Sequence, residues 1–222
     1  MKLSQNCFNI KVCARGSKLS LVQVEEVEKK IKKYFPSLTF SLISLKTTGD
    51  LDQKTSLRDL GATDFFTREI DRYLLEKKAR IAIHSAKDLP DPIPRGLAIA
   101  AFTKGVDPKD SLVLRDGVSI GDLNENSVIA TSSYRREEAV LKLKQDVRFT
   151  DIRGTIEQRL EKLYQKKCDG VVIAKAALLR LKLQVNAVEL PGDTVPLQGR
   201  LAIVCRDDDE LMKKTFAKIH YG

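Results

Sequence analysis

The sequence has no tryptophan, two histidines and four cysteines in 222 residues, and each scarcity removes a class of function. Cys7, Cys13, Cys168 and Cys205 lie far apart with no CxxC pair, so neither a zinc site nor a disulfide framework is expected, and no metal is assigned. They read as small apolar residues in a reducing cytoplasm. No apolar run approaches the roughly 20 residues of a membrane helix. The opening MKLSQNCFNIKVCARG has no apolar core of the kind that marks a signal peptide. Aromatic residues make up 6%, and no block of Lys and Arg is interleaved with Phe or Tyr as a base-stacking surface requires. Membrane and nucleic-acid partners are therefore not expected.

What is present is positive charge. A net charge of +9 and a pI near 9.3 imply affinity for anions. The arginines sit singly or in pairs at the ends of predicted elements, which suits a small polyanionic ligand better than a phosphate backbone. Hydrophobic content of 42% and charged content of 31% describe a globular chain.

Strand and helix patterns alternate. Residues 18–35 place Val24, Val27, Ile31 and Tyr34 on one face and halt at Pro36, predicting a helix. Further helices are predicted at 66–78, 134–145, 155–167 and 207–219, the third of these opening with the capping-box spacing Thr155 to Gln158. Strands are predicted at 9–14, 39–46, 80–84, 97–102, 111–114, 127–131, 147–151, 170–174 and 201–205. This alternation predicts α/β architecture with largely parallel sheets. The last strand and helix cannot form a domain alone, so they are expected to return to the first lobe. That gives a discontinuous domain 1 (1–103 plus 200–222), a domain 2 (108–195), hinges near 104–107 and 196–199, and a ligand cleft between two hinged lobes.

Ligands of open α/β sheets bind at the carboxyl ends of strands. The residues that follow each predicted strand are Arg15 and Ser17, then Thr47 to Asp50, then Ser85, Lys87 and Asp88. In the second lobe they are Thr131, Ser132, Ser133, Arg135 and Arg136, then Arg153 and Arg159. Hydroxyls and free N–H groups at helix starts bind carboxylates, and arginines add bidentate contacts. Asp88 is read as the only carboxylate in the most basic part of the cleft, able to hold a cation or accept from an N–H group. The competing reading is an aspartate that salt-bridges Lys87 or caps a turn.

The motifs ARGSKLSLVQ, TTGD, AIHSAKDLP, DPKDSLV, IATSSYRRE, DIRGTIEQRL, GVVIAKAALLRL and LQGRLAIVCR, in this order, resemble porphobilinogen deaminase (hydroxymethylbilane synthase). The resemblance implies two lobes in the style of periplasmic binding proteins and a third domain. It implies a transferase of porphyrin and heme biosynthesis that condenses four porphobilinogen molecules, with loss of ammonia, on a dipyrromethane cofactor. Asp88 matches the family's catalytic aspartate. Arg15, Ser17, Lys87, Ser133, Arg135, Arg136, Arg153 and Arg159 match residues that bind acetate and propionate arms, and Thr131, Ser132 and Gln198 fall at matching positions.

The departures are specific. The family anchors its cofactor to a cysteine in a Gly-Gly-Cys loop of the third domain, and no cysteine here has that setting. The expectation is a short form without covalent attachment, with dipyrromethane held noncovalently or not at all and turnover weak or altered. Thr48 replaces the usual Arg of T-R-G-D, Lys54 a usual aspartate, and residues 59–64 lack the usual lysines. A monomeric deaminase is the main expectation, and a non-catalytic pyrrole or polycarboxylate binder the alternative.

Overall fold

The computed structural model describes residues 8–52, 55–56, 58 and 64–222. In chain order the elements begin with β1 (Phe8–Arg15), α1 (Lys18–Lys32), β2 (Leu38–Leu45), α2 (Thr48–Leu51), α3 (Arg68–Leu75), β3 (Ile81–Ser85) and β4 (Leu97–Phe102). They continue with β5 (Asp110–Leu114), β6 (Val128–Ala130), α4 (Tyr134–Leu141), β7 (Arg148–Thr150), α5 (Ile156–Tyr164), β8 (Gly170–Ala174), α6 (Lys175–Arg180), β9 (Ala187–Glu189), β10 (Leu201–Arg206) and α7 (Glu210–Phe216). Two compact units form, one from Met1–Leu51, Ala62–Gly105 and Arg200–Gly222, the other from Asp52–Gly61 and Val106–Gly199. Of the described residues between α2 and α3, Asp52, Thr55, Ser56 and Arg58 group with the second unit.

The first unit holds a five-stranded sheet in the order β2-β1-β3-β10-β4. Strand β1 runs parallel to β2 and β3, and β10 runs antiparallel to β3 and β4. The apolar residues of β1 alternate between two cores, as a strand covered on both faces must. Ile10, Val12 and Ala14 join Val24, Val27 and Ile31 of α1 and Phe216 of α7, while Cys13 joins Ile70 and Leu74 of α3. Helix α1 starts where the Ser17 hydroxyl accepts from Ser20 N at 3.3 Å. It ends at Lys32, short of the expected Phe35, because the residue before Pro36 is pushed out of helical geometry. Tyr34, expected on the apolar face, is accordingly 55% exposed.

The second unit repeats the plan with the order β7-β6-β8-β5-β9. Strand β6 is parallel to β7 and β8, and β5 is antiparallel to β8 and β9. The expectation of largely parallel sheets therefore needs correction: both are mixed. In each, the antiparallel strand in fourth place is the first strand after the chain crosses into that unit. A crossing that arrives at the edge where the parallel strands end must run back against them. The predicted helix at 155–167 is Ile156–Tyr164, and both hydrogen bonds of its Thr155–Gln158 capping box are present. Helix α6 and strand β9 were not expected from the periodicity. Gly199 fixes the second crossing, with φ +82° and a hypothetical Cβ only 2.3 Å from the carbonyl oxygen of Asp107.

Candidate active site

The polar residues that end the parallel strands collect at one edge of each sheet. In the first unit, Arg15 closes β1 and forms an ion pair with Asp50 in α2, its Nε donating to Asp50 Oδ1 at 3.1 Å. Asp50 Oδ2 also accepts from Thr47 N at 3.0 Å and Thr47 Oγ1 at 2.9 Å. Burial opposes the charge of Asp50, but the hydrogen bonds from Arg15 and Thr47 outweigh it and hold the carboxyl below its usual value. The Arg15 guanidinium lies 4.6 Å from the centre of the Phe66 ring. Thr48, which stands where the family has arginine, donates to Glu69 instead.

Strand β3 ends at Ser85, whose hydroxyl accepts from Gln23 Nε2 at 3.0 Å, and a single turn over Ala86–Asp88 follows. His84 is buried with its Nε2 unpartnered; burial first, and Arg15 second, push its pKa down to about 4, so it is neutral at pH 7. Asp88 is half-buried. Its carboxylate makes no hydrogen bond or ion pair with any described residue, Lys87 included.

The second unit corrects the picture of unopposed arginines. Asp110, at the start of β5 and 1% exposed, accepts from Arg135 Nη2 at 2.6 Å and from Arg136 Nη2 at 2.7 Å. Arg135 Nη1 also donates to the carbonyl of Asp193 at 3.0 Å. Asp88 is thus not the only acid among the basic residues, and Asp110, inside the motif DPKDSLV, was missed as their partner. A guanidinium has five donors, so the carboxylate orients both side chains without exhausting them.

The other predicted residues are placed as follows. Ser132 Oγ accepts from Ile152 N at 3.0 Å and donates to Ile152 O at 3.1 Å. Thr131 is 1% exposed with its hydroxyl unpartnered, and Ser133 caps α4 without a side-chain hydrogen bond. Arg153 is buried and donates to the carbonyls of Thr55 at 2.9 Å and Asp52 at 2.8 Å. Arg159 Nε donates to Gly154 O at 2.9 Å, and Gln198 Nε2 to Pro108 O at 2.6 Å. Lys54 and residues 59–63 lie outside the described residues; Asp64, the last of the altered run, pairs with Arg68.

Burial raises three thiols out of the reactive range, Cys13 to about 12 and Cys168 and Cys205 to about 11 each. Cys7 lies outside the described residues. Among the described residues no cluster of His, Cys, Asp and Glu could hold a metal ion, and no helix is long and apolar enough to cross a membrane.

Residues 10–214 match the family model described as porphobilinogen deaminase, dipyromethane cofactor binding domain. The chain belongs to the porphobilinogen deaminase family. It is 39% identical over 211 residues to the porphobilinogen deaminase of Clostridioides difficile, covering 93% of this chain and 70% of that protein. It is likewise 39% identical to the enzyme of Caldicellulosiruptor saccharolyticus, covering 95% of this chain and 73% of the relative. Solved structures extend the likeness in fold alone. An ancestral cationic amino acid solute-binding protein superposes with a TM-score of 0.59 at 13% identity, covering 97% of this chain and 90% of the other. The methionine-binding protein MetQ gives 0.58 at 13% identity, covering 95% and 89%. The two-lobed α/β class expected from the sequence is that of these binding proteins.

Proposed function

We propose that this chain carries out the porphobilinogen deaminase reaction, a hydroxymethylbilane synthase-type transfer in tetrapyrrole biosynthesis, with Asp88 as its catalytic residue. The observation that carries the reading is the state of Asp88. Asp50 of the first unit, and Asp110 and Asp151 of the second, are each paired with arginine. Asp88 alone of these four has no ion-pair partner among the described residues. A half-buried, uncommitted carboxylate is free to accept hydrogen bonds from pyrrole N–H groups and to balance a cation.

In each condensation the C–N bond of the porphobilinogen aminomethyl group breaks and ammonia leaves. The cation so formed makes a C–C bond to the free α-carbon of an acceptor pyrrole, which then loses its proton. Asp88 stabilises the positive charge that develops as the amine departs. Porphobilinogen carries two carboxylates, which suit charged donors such as Arg15 and Lys87 in the first unit and Arg135 and Arg136 in the second. Arg136 uses only Nη2 toward Asp110, leaving Nε and Nη1 to a ligand.

The donor set fits the dipyrromethane cofactor of the family. Basic side chains at strand ends suit its carboxylate arms, and the unpartnered carboxylate of Asp88 suits its pyrrole N–H groups. When bound, that group would supply the primer on which the oligopyrrole grows; Arg15 and Ser17 of the first unit, and Arg135, Arg136 and Ser133 of the second, have the donors to hold its carboxylates. In this reading the protein acts as a cytoplasmic monomer without a nucleic-acid partner.

The test is to incubate the protein with porphobilinogen and follow ammonia release and, after oxidation, uroporphyrin. Ammonia release with pyrrole products supports the reading. Binding without ammonia release would point to a non-catalytic pyrrole binder.

A further inference from the structure

We infer that Arg58 is a positioning residue for carboxylate binding in the second unit: it cancels the charge of Glu137 and Asp151, which otherwise repel an anion arriving at the Thr131–Arg136 run. The inference rests on the reading above that this run receives the carboxylates of porphobilinogen.

Arg58 lies well outside the run in sequence yet is built into it in space. Its Nη2 donates to the carbonyl of Thr131 at 3.1 Å and pairs with Glu137 Oε1 at 2.5 Å. Its Nε pairs with Asp151 Oδ1, and its guanidinium lies 5.4 Å from the centre of the Tyr134 ring. One side chain thus touches the strand end after β6, the first turn of α4 and the strand end after β7. Arg135 and Arg136 are already joined to Asp110. Among the described residues, Arg58 is the cation that pairs with Glu137 and Asp151.

Both acids are close enough to matter. Glu137 is one residue beyond Arg136, with a side chain only 14% exposed, where water screens its charge poorly. Asp151 precedes Ile152, whose backbone is bonded both ways to the Ser132 hydroxyl. Without Arg58, two carboxylates flank a station meant for a third. Like charges brought together at a binding site cost affinity directly.

The experiment compares wild type, R58M, R58K and R58M/E137Q/D151N for porphobilinogen affinity by calorimetry, and for KM and kcat by ammonia release. R58M is expected to weaken affinity about tenfold, a loss seen in KM rather than kcat. R58K should retain most of the affinity, and neutralising both acids should restore R58M to within about twofold of wild type. Wild-type affinity in R58M, or a triple variant as weak as R58M, overturns the inference while leaving the function above intact. Should R58M not fold, E137Q/D151N with Arg58 retained must bind porphobilinogen more tightly than wild type, and unchanged or weaker binding overturns the inference. A wild-type protein that binds no porphobilinogen overturns both readings together.

Discussion

Arg136 Nη2 donates to Asp110 Oδ1 across 2.7 Å, while Arg135 Nη2 donates to the other oxygen of the same carboxylate at 2.6 Å. One buried acid therefore sets the direction of two adjacent arginines. Removing its charge leaves both guanidiniums pointing at a group that no longer balances them. Asp110→Asn should lower stability by about 2 kcal/mol, less than for a fully buried pair because both arginines reach water. It should also scatter the two side chains and weaken porphobilinogen binding. Thermal melting and calorimetry on the same preparation check both; an unchanged melting temperature would mean that the pair contributes little to the fold.

A second prediction concerns Asp71. Burial pushes its pKa up to about 6, with the nearby Thr67 hydroxyl opposing the shift. The folded state then holds the proton between about pH 4 and 6 while the unfolded state has lost it, so this group lowers stability as pH rises through that window. Asp71→Asn should remove that slope and raise stability at pH 7 by about 1 kcal/mol, after allowance for solvent screening. Asp50 and Asp209, both held below their usual values, act oppositely: their stabilisation is present at neutral pH and is lost as pH falls below about 4. Denaturant melts at pH 4, 5, 6 and 7 separate the two. A steeper fall toward pH 7 in the variant would contradict the assignment.

The thiols offer a third prediction. Cys13, Cys168 and Cys205 are buried, and their pKa values lie far above neutral. Iodoacetamide at pH 7.5 should label none of the three in the native protein and all of them after unfolding in guanidinium. Peptide mass mapping after incubation with porphobilinogen should find no pyrrole adduct on these three. An adduct on any one would require an opening that brings that thiol to the surface.

Much of this arrangement was legible in the sequence, because local chemistry is written locally. The capping box at Thr155–Gln158, the halt before Pro36 and the delivery of Ser85, Lys87 and Asp88 by an apolar strand all depend on residues within a few positions of one another. What could not be read depends on strand order. Asp110 meets Arg135 and Arg136 only because β5 runs antiparallel beside β8, with β6 on the far side of β8. No periodicity marks that neighbour relation. Arg58 was equally hidden: its partners Glu137 and Asp151 are 79 and 93 positions away and belong to a unit that its own flanking elements do not join. Tyr34 was misjudged for a nearer reason, since helical spacing was extended past the last residue that Pro36 allows.

The central claim is that Asp88 acts on the substrate and does not hold the fold. The most direct measurement is porphobilinogen-dependent ammonia release by Asp88→Asn beside wild type, with thermal melting of both. Asp88 has no ion pair or hydrogen bond to any described residue, so the variant should melt within about 0.5 kcal/mol of wild type. Turnover should fall by at least about 100-fold, since the neutral amide cannot balance the developing cation. Wild-type turnover in Asp88→Asn would contradict the account, and so would a loss of activity that merely follows a loss of folded protein.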